Sequence, residues 1–174
     1  MFSAITLGQA DTPAPTEISV GAYLSMTGAT ATFGVATHEG IQLAIELYNV
    51  RAKRKVKLRV IDTAGKPSEG AVAVTRLIDD GAVAIIGEVS SSITLAGAAV
   101  AQQRGIPMIT PSATHPNITD AGDMISRTCL TDDAQAYAIA KFAKGQRWKR
   151  VSILFDQQQP YSVGMVTAFE SAYK

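Results

Sequence analysis

The residues that could hold a small molecule lie between Gly87 and Thr119. An apolar run, Ala82 to Ile86, leads into three consecutive serines, Ser90, Ser91 and Ser92. A helix-like run follows, Ile93 to Arg104, closed by Gly105. A second apolar run, Ile106 to Ile109, leads into another hydroxyl-rich turn, Thr110-Pro111-Ser112-Ala113-Thr114. Two neighbouring strand ends are therefore each predicted to carry small hydroxyls. In open α/β sheets, ligands bind outside the carboxyl ends of the strands. Ser91 and Ser92 fall where a helix starts, so free N–H groups and the helix dipole face whatever binds there. The two hydroxyl clusters contain no acid, base or thiol. That chemistry suits holding an anionic small molecule without changing it.

Each cluster also has a plainer reading. Serines before a helix are usually N-caps, and Pro-Ser-Ala-Thr is often only a turn. Their occurrence on consecutive strand ends is what points to a site.

The rest of the chain must position these turns. Strand and helix patterns alternate from Glu17 onward. Ile18 to Leu24 reads as a strand ending in Ser25-Met26-Thr27-Gly28. Gly34 to Val50 carries a helical stripe of Val35, Ile41, Ala44, Ile45, Leu47 and Tyr48. Lys55 to Asp62 alternates as a strand with one exposed face, and Pro67-Ser68 opens a helix running to Gly81. Strands Ala82–Ile86 and Pro107–Thr110 flank the helix Ile93–Arg104. This order predicts an α/β fold: a flavodoxin-like parallel sheet of four strands with helices on both faces. Beyond it, Pro116 to Asp123 reads as a polar turn and Met124 to Arg127 as a short extended segment. A helix capped by Thr131 or Asp132 runs to Gly145, Val151 to Phe155 reads as a buried strand, and Ser162 to Tyr173 as a helix.

Composition narrows the functional classes. The chain has 174 residues and a net charge of +1, which fits one domain or one domain plus part of another. Its basic cluster, Arg51-Ala52-Lys53-Arg54-Lys55, reads as a solvated turn, so no nucleic-acid partner is expected. The single cysteine, Cys129, excludes an internal disulfide framework and any multi-cysteine metal site. His38 and His115 have no ligand partner at usable spacing, so no metal is expected. No cofactor is expected either, because Ser25-Met26-Thr27-Gly28 lacks the glycine spacing of dinucleotide and P-loop motifs. Residues 1–16 look foreign to the fold: a short apolar start, small residues Gly8-Gln9-Ala10, then the Pro-rich Asp11–Thr16. They read as the remnant of an export signal plus a linker, or as a cytoplasmic disordered N-terminus.

In its ordered set of motifs the sequence resembles the periplasmic Leu/Ile/Val-type amino-acid-binding proteins of ABC importers. The matching residues are Gly21 to Gly28 with Phe33-Gly34, Ile86-Gly87 with the serines, and Ile106 to Thr114. Arg127-Thr128 and Asp156-Gln157-Gln158 with Tyr161 complete the set. The likeness runs from about Glu17 to the end. It implies a type I periplasmic binding protein fold, with the chain corresponding to its N-terminal half. Residues 17–126 would be ligand-binding lobe one, 127–131 a hinge crossing, and 132–174 an incomplete start of lobe two. The resemblance implies an exported, periplasmic protein that binds a free amino acid in an interlobe cleft and hands it to a membrane permease.

The same resemblance suggests roles for residues. Ser91 would donate its hydroxyl to the ligand carboxylate, with the Thr114 N–H as second donor. The Ser112 carbonyl and Thr114 hydroxyl would accept from the ammonium, across the turn that holds Ala113. Phe33, Val89 and Ser90 would line the side-chain pocket, and Tyr161 would close over the ligand from lobe two. Phe33 is equally a core aromatic, and Tyr161 a surface-loop aromatic, on sequence alone. Ser90 stands where some relatives carry Cys, and Ser112 where some carry Ala or Gly. The acid that completes the ammonium site in that family lies beyond this chain's match. Alternative readings are a ligand-sensing receptor domain of the same fold or a flavodoxin-like enzyme domain. With lobe two reduced to one helix–strand–helix unit, the expectation is weak amino-acid binding or none, and self-association through residues after Thr131.

Overall fold

The computed structural model describes residues 17–174, so the leader reading of residues 1–16 lies outside the described residues. Five strands form one parallel sheet: β1 (Glu17–Leu24), β2 (Lys55–Asp62), β3 (Ala84–Gly87), β4 (Met108–Thr110) and β5 (Ile125–Arg127). Their order is β2-β1-β3-β4-β5, every neighbouring pair parallel. The chain moves outward from β1 to β2, returns to β3, and continues to β5. The expected four strands are present, and the short extended segment adds the fifth by pairing Met108 with Ile125 and Thr110 with Arg127.

Helices cover both faces. On one, α2 (Pro67–Asp79) and α3 (Ser91–Gln103) pack on Tyr23, Ile85, Met108 and Ile125 through Val74, Leu77, Ile93, Ala98 and Ala101. On the other, α1 (Ala31–Arg51) covers Ala22 and Leu24 with Ile41 and Ile45. The expected α1 stripe is only partly buried, however: Val35, Ala44, Leu47 and Tyr48 are exposed, and α1 meets the sheet through Gly34, Ile41, Ile45 and the paired Asn49–Val56 hydrogen bonds. Gly34 allows this approach. A Cβ there would lie 2.0 Å from the Ser25 carbonyl oxygen, so no other residue lets the start of α1 sit against the end of β1.

Past β4, Pro116–Ala121 forms a 3-10 turn where a plain polar turn is expected. Thr131 caps α4 (Asp132–Gly145), accepting from the Ala134 N–H at 3.4 Å. The chain closes with α5 (Pro160–Tyr173), which packs on α4 through Ala136, Ala140 and Phe169.

Val151 to Phe155 is not a strand. The segment has no regular structure, and Leu154 is fully exposed. Its apolar, β-prone composition supplies a strand's side chains but not a ladder, and no strand of the five-stranded sheet pairs with it. Without an edge to pair with, extended backbone gains nothing over solvated coil. Among the described residues no helix is long and apolar enough to cross a membrane.

Candidate functional site

Three turns at the carboxyl ends of β1, β3 and β4 meet at the N-terminus of α3. What joins them is Glu88, the residue after β3, which is wholly buried. Its Oε1 accepts from the Ser25 hydroxyl and, at 3.1 Å, from the Thr63 hydroxyl; its Oε2 accepts from the Ser90 N–H at 2.6 Å. Its backbone carbonyl accepts from the Thr94 hydroxyl at 3.0 Å and the Thr110 hydroxyl at 2.7 Å. One residue thus ties the ends of β1, β2 and β4 to the first turn of α3. Gly87 permits the path: its φ of +123° suits glycine, and a Cβ would lie 2.1 Å from the Tyr23 carbonyl oxygen. Beneath it Tyr23 is buried, and burial beside Glu88 pushes its phenol far above the usual tyrosine range.

The N-cap reading of the serines meets a specific objection. Ser90 occupies the cap position of α3 with extended backbone, yet its side chain makes no capping bond. Its hydroxyl pairs instead with that of Ser92 at 3.1 Å. Ser91, the first helical residue, is buried, and its Oγ accepts from the His115 N–H at 3.4 Å. That leaves the Ser91 hydroxyl hydrogen available to donate. Glu88 holds the Ser90 N–H, but with no cap bond from the Ser90 side chain the N–H groups that follow it in the first turn of α3 remain for an anion.

A cavity of about 390 Å³ opens over this turn, within the range of small-molecule sites. Phe33, Val89, Ser90, Ser91, Ser112, Thr114 and Tyr161 all line it. Sequence reasoning expected each of them there. Ala113 does not line it: the residue is buried, its N–H donates to Thr110 Oγ1 at 3.1 Å, and its carbonyl accepts from Arg127. Phe33 is 65% exposed, which rules out a core aromatic. Thr30, Gln135, Gln159 and Ser162 complete the lining and were not anticipated. Arg127 pins the chain around the Thr114 turn, donating to the carbonyls of Ala113, His115 and Pro116 and to Thr119 Oγ1.

Glu88 was also missed. Its signal was present: a lone carboxylate between an apolar run and a serine cluster has few places to go but inward, onto hydroxyls. Among the described residues no cluster of three His, Cys, Asp or Glu is placed to hold a metal. Cys129 is half-buried and its thiol points to the Ala113 carbonyl at 3.5 Å.

A doubly covered parallel sheet with uncapped helix N–H groups and hydroxyls at its strand ends defines a binding lobe of the α/β class. Comparison with known proteins gives the family: residues 17–174 match the periplasmic binding protein model, and the chain belongs to that family, one of binding proteins rather than enzymes. It is 32% identical over 174 residues to Leu/Ile/Val-binding protein homolog 3 of Brucella melitensis, covering 97% of this chain and 47% of that protein. Among solved structures it is similar to the leucine-binding protein LivK of Thermotoga maritima, with TM-score 0.85 and 38% identity over 90% of this chain and 45% of the other. It is also similar to the branched-chain amino acid transporter substrate-binding protein LivJ of Streptococcus pneumoniae in complex with isoleucine, with TM-score 0.85 and 26% identity over 91% of this chain and 47% of the other. The chain spans about half the length of the relatives it matches.

Proposed function

We propose that this chain forms the binding wall for a free aliphatic α-amino acid, branched-chain ligands foremost, in a solute-binding protein that serves an ABC importer. The observation that carries the reading is the convergence of Ser91, Ser112 and Thr114 on one cavity at the start of α3, beneath Phe33 and Tyr161. A carboxylate set at that helix start takes the Ser91 hydroxyl and the Thr114 N–H as donors. The ammonium takes the Ser112 carbonyl and the Thr114 hydroxyl as acceptors. Val89, Phe33 and Ser90 meet the side chain. The names of its relatives, Leu/Ile/Val-binding and leucine-binding proteins, support the ligand class.

In this reading residues 17–126 act as lobe one, 127–131 as the crossing, and 132–174 as the beginning of lobe two. Tyr161 then reaches the ligand from the second lobe as the hinge closes. The protein works outside the cytoplasmic membrane and delivers its ligand to a permease. Nothing in the site alters the ligand.

The test is a screen of the free amino acids by calorimetry and thermal shift, with Thr114→Val beside the parent. Aliphatic amino acids bind the parent, and Thr114→Val loses them while keeping its fold, because a buried cation loses one of its acceptors. Equal leucine affinity in Thr114→Val would refute the amino-acid reading.

A further inference from the structure

Among the described residues two carboxylates are wholly buried, Glu88 and Asp132, and they are in opposite condition. Glu88 accepts three hydrogen bonds. Asp132 accepts none: neither carboxylate oxygen has a hydrogen-bond partner. Buried carboxylates without partners are costly and rare enough that each calls for an explanation.

Its placement supplies one. Asp132 is the first residue of α4, where the helix dipole favours negative charge. Its N–H donates to the Thr114 carbonyl at 3.0 Å, so the acid and the proposed ammonium acceptor are joined through the backbone. Thr114 lines the cavity; Asp132 does not. α5 seals the acid from the other side: a Cβ on Gly164 would lie 3.1 Å from Asp132 Oδ2 and 3.3 Å from His115 Cδ2. Burial pushes the Asp132 carboxyl above the usual range; the Thr114 hydroxyl, His115 and Arg127 oppose the shift, and Asp133 adds to it.

We propose that Asp132 is a positioning residue for a ligand ammonium held at Thr114. When an amine reaches Thr114, the Asp132 carboxylate takes the Thr114 hydroxyl hydrogen, a bond not made in the structure as it stands, so that Oγ1 turns lone pairs toward the cleft. Its charge also stands behind that oxygen. A threonine hydroxyl has one hydrogen and two lone pairs, and left free it can aim either at a ligand. Aimed by Asp132, it accepts from an amine and offers nothing to a neutral carbon. The arrangement selects acids that carry an α-amine over the same acids without one. This inference rests on the amino-acid reading of the cleft.

The experiment is a titration of the 174-residue chain, followed by amide NMR, with leucine and with its des-amino counterpart 4-methylpentanoate. The parent prefers leucine about tenfold or more, as expected when a charged hydrogen bond is gained. Asp132→Asn lowers leucine affinity about tenfold and leaves the des-amino acid within about twofold. In a Thr114→Val background Asp132→Asn changes nothing further, because its effect runs through that hydroxyl. Asp132→Asn also melts no lower than the parent, since an unpartnered buried charge has been removed. An unchanged leucine to des-amino ratio in Asp132→Asn overturns the proposal. A parent whose Ser91 and Thr114 amides respond to neither compound overturns the reading of the cleft itself, and this inference with it. Should Asp132→Asn fail to fold, the side-chain carboxyl ¹³C signal of Asp132 in the parent decides. It shifts with leucine and not with 4-methylpentanoate; indifference to leucine while the Ser91 amide moves overturns the role.

Discussion

The sheet and the α4–α5 pair are built from similar residues and end in different states. Ile85 on β3 is buried between β1 and β4, with helices above it. Leu154, in a run of the same apolar character, is 101% exposed. The side chains do not make the difference; the neighbours do. Every inner strand of the sheet has a ladder on both edges and a helix on at least one face. The segment Val151–Phe155 has only the flank of α5 and α4, where Ile139, Met165 and Phe169 border an open apolar hollow of about 360 Å³. A β-prone sequence becomes a strand only where an edge awaits it.

The largest effect that would break this contrast comes from matched truncations. Ile85→Ala is expected to cost about 3 kcal/mol, since a filled site in a rigid core is emptied. Leu154→Ala is expected to stay within about 0.5 kcal/mol. Urea unfolding of both variants measures the gap; equal losses would mean that Leu154 is held by contacts the contrast denies it. In solution the same exposed run is expected to drive self-association. Light scattering over a concentration series should show it in the parent and show less in Leu154→Asp.

Glycines sharpen the comparison at a smaller scale. A Cβ at Gly34 meets a backbone oxygen at 2.0 Å, which cannot yield without moving the end of β1. Gly34→Ala is expected to cost about 2 kcal/mol. At Gly164 the closest atoms are the ends of Asp132 and His115, at 3.1 and 3.3 Å, which can move by tenths. Gly164→Ala is expected to cost less than about 1 kcal/mol. Comparable melting points for the two would contradict the rigid-and-loose division.

Much of this was legible beforehand. Alternating periods gave the strands and helices of the sheet because Val56, Leu58 and Val60, or Val74, Leu77 and Ile78, can bury only at those spacings. Seven of the eight expected site residues line one cavity, since strand ends and helix starts put short hydroxyls in fixed places. Three features were not legible. The coil at Val151–Phe155 depends on a partner edge, which composition does not report. The inward turn of Ala113 depends on Arg127, fourteen residues away. The burial of Glu88 and Asp132 is the third: a carboxylate before a serine run hints at an inward turn, and Asp132 reads as a helix-cap candidate, but local sequence names no partners for either. Their hydroxyl and amide neighbours come from Ser25, Thr63 and Thr114, distant in the chain.

The smallest effects concern pH, and they carry opposite signs in the two regions. Burial works against ionisation of Asp62, but the Thr27 hydroxyl and the N–H groups of Ala64, Thr27 and Met26 outweigh it, so its carboxyl lies below the ordinary 3.8. A depressed value stabilises the fold above the unfolded pKa, and that contribution is lost as pH falls through the folded one. The deficit of Asp62→Asn against the parent is therefore expected at neutral pH and to vanish in acid. Asp132 is raised by burial, with Asp133 adding and Thr114, His115 and Arg127 opposing. A raised carboxyl stabilises the fold below its unfolded pKa and forfeits that as pH rises through the folded one. Asp132→Asn is thus expected to gain on the parent at neutral pH and to lose that gain in acid. Melting curves at several pH values check both; like signs would contradict the assigned environments.

The measurement that bears most directly on the central claim is an amide NMR titration of the chain with leucine, run on the parent and on Ser91→Ala. The account predicts weak, saturable shifts at Ser91 and Thr114 in the parent. In Ser91→Ala it predicts affinity about tenfold lower with only a small drop in melting point, because the hydroxyl does not cap α3 and the one protein contact it loses is the long bond from the His115 N–H at 3.4 Å. Equal affinity in the two, or shifts that bypass the start of α3, would contradict it.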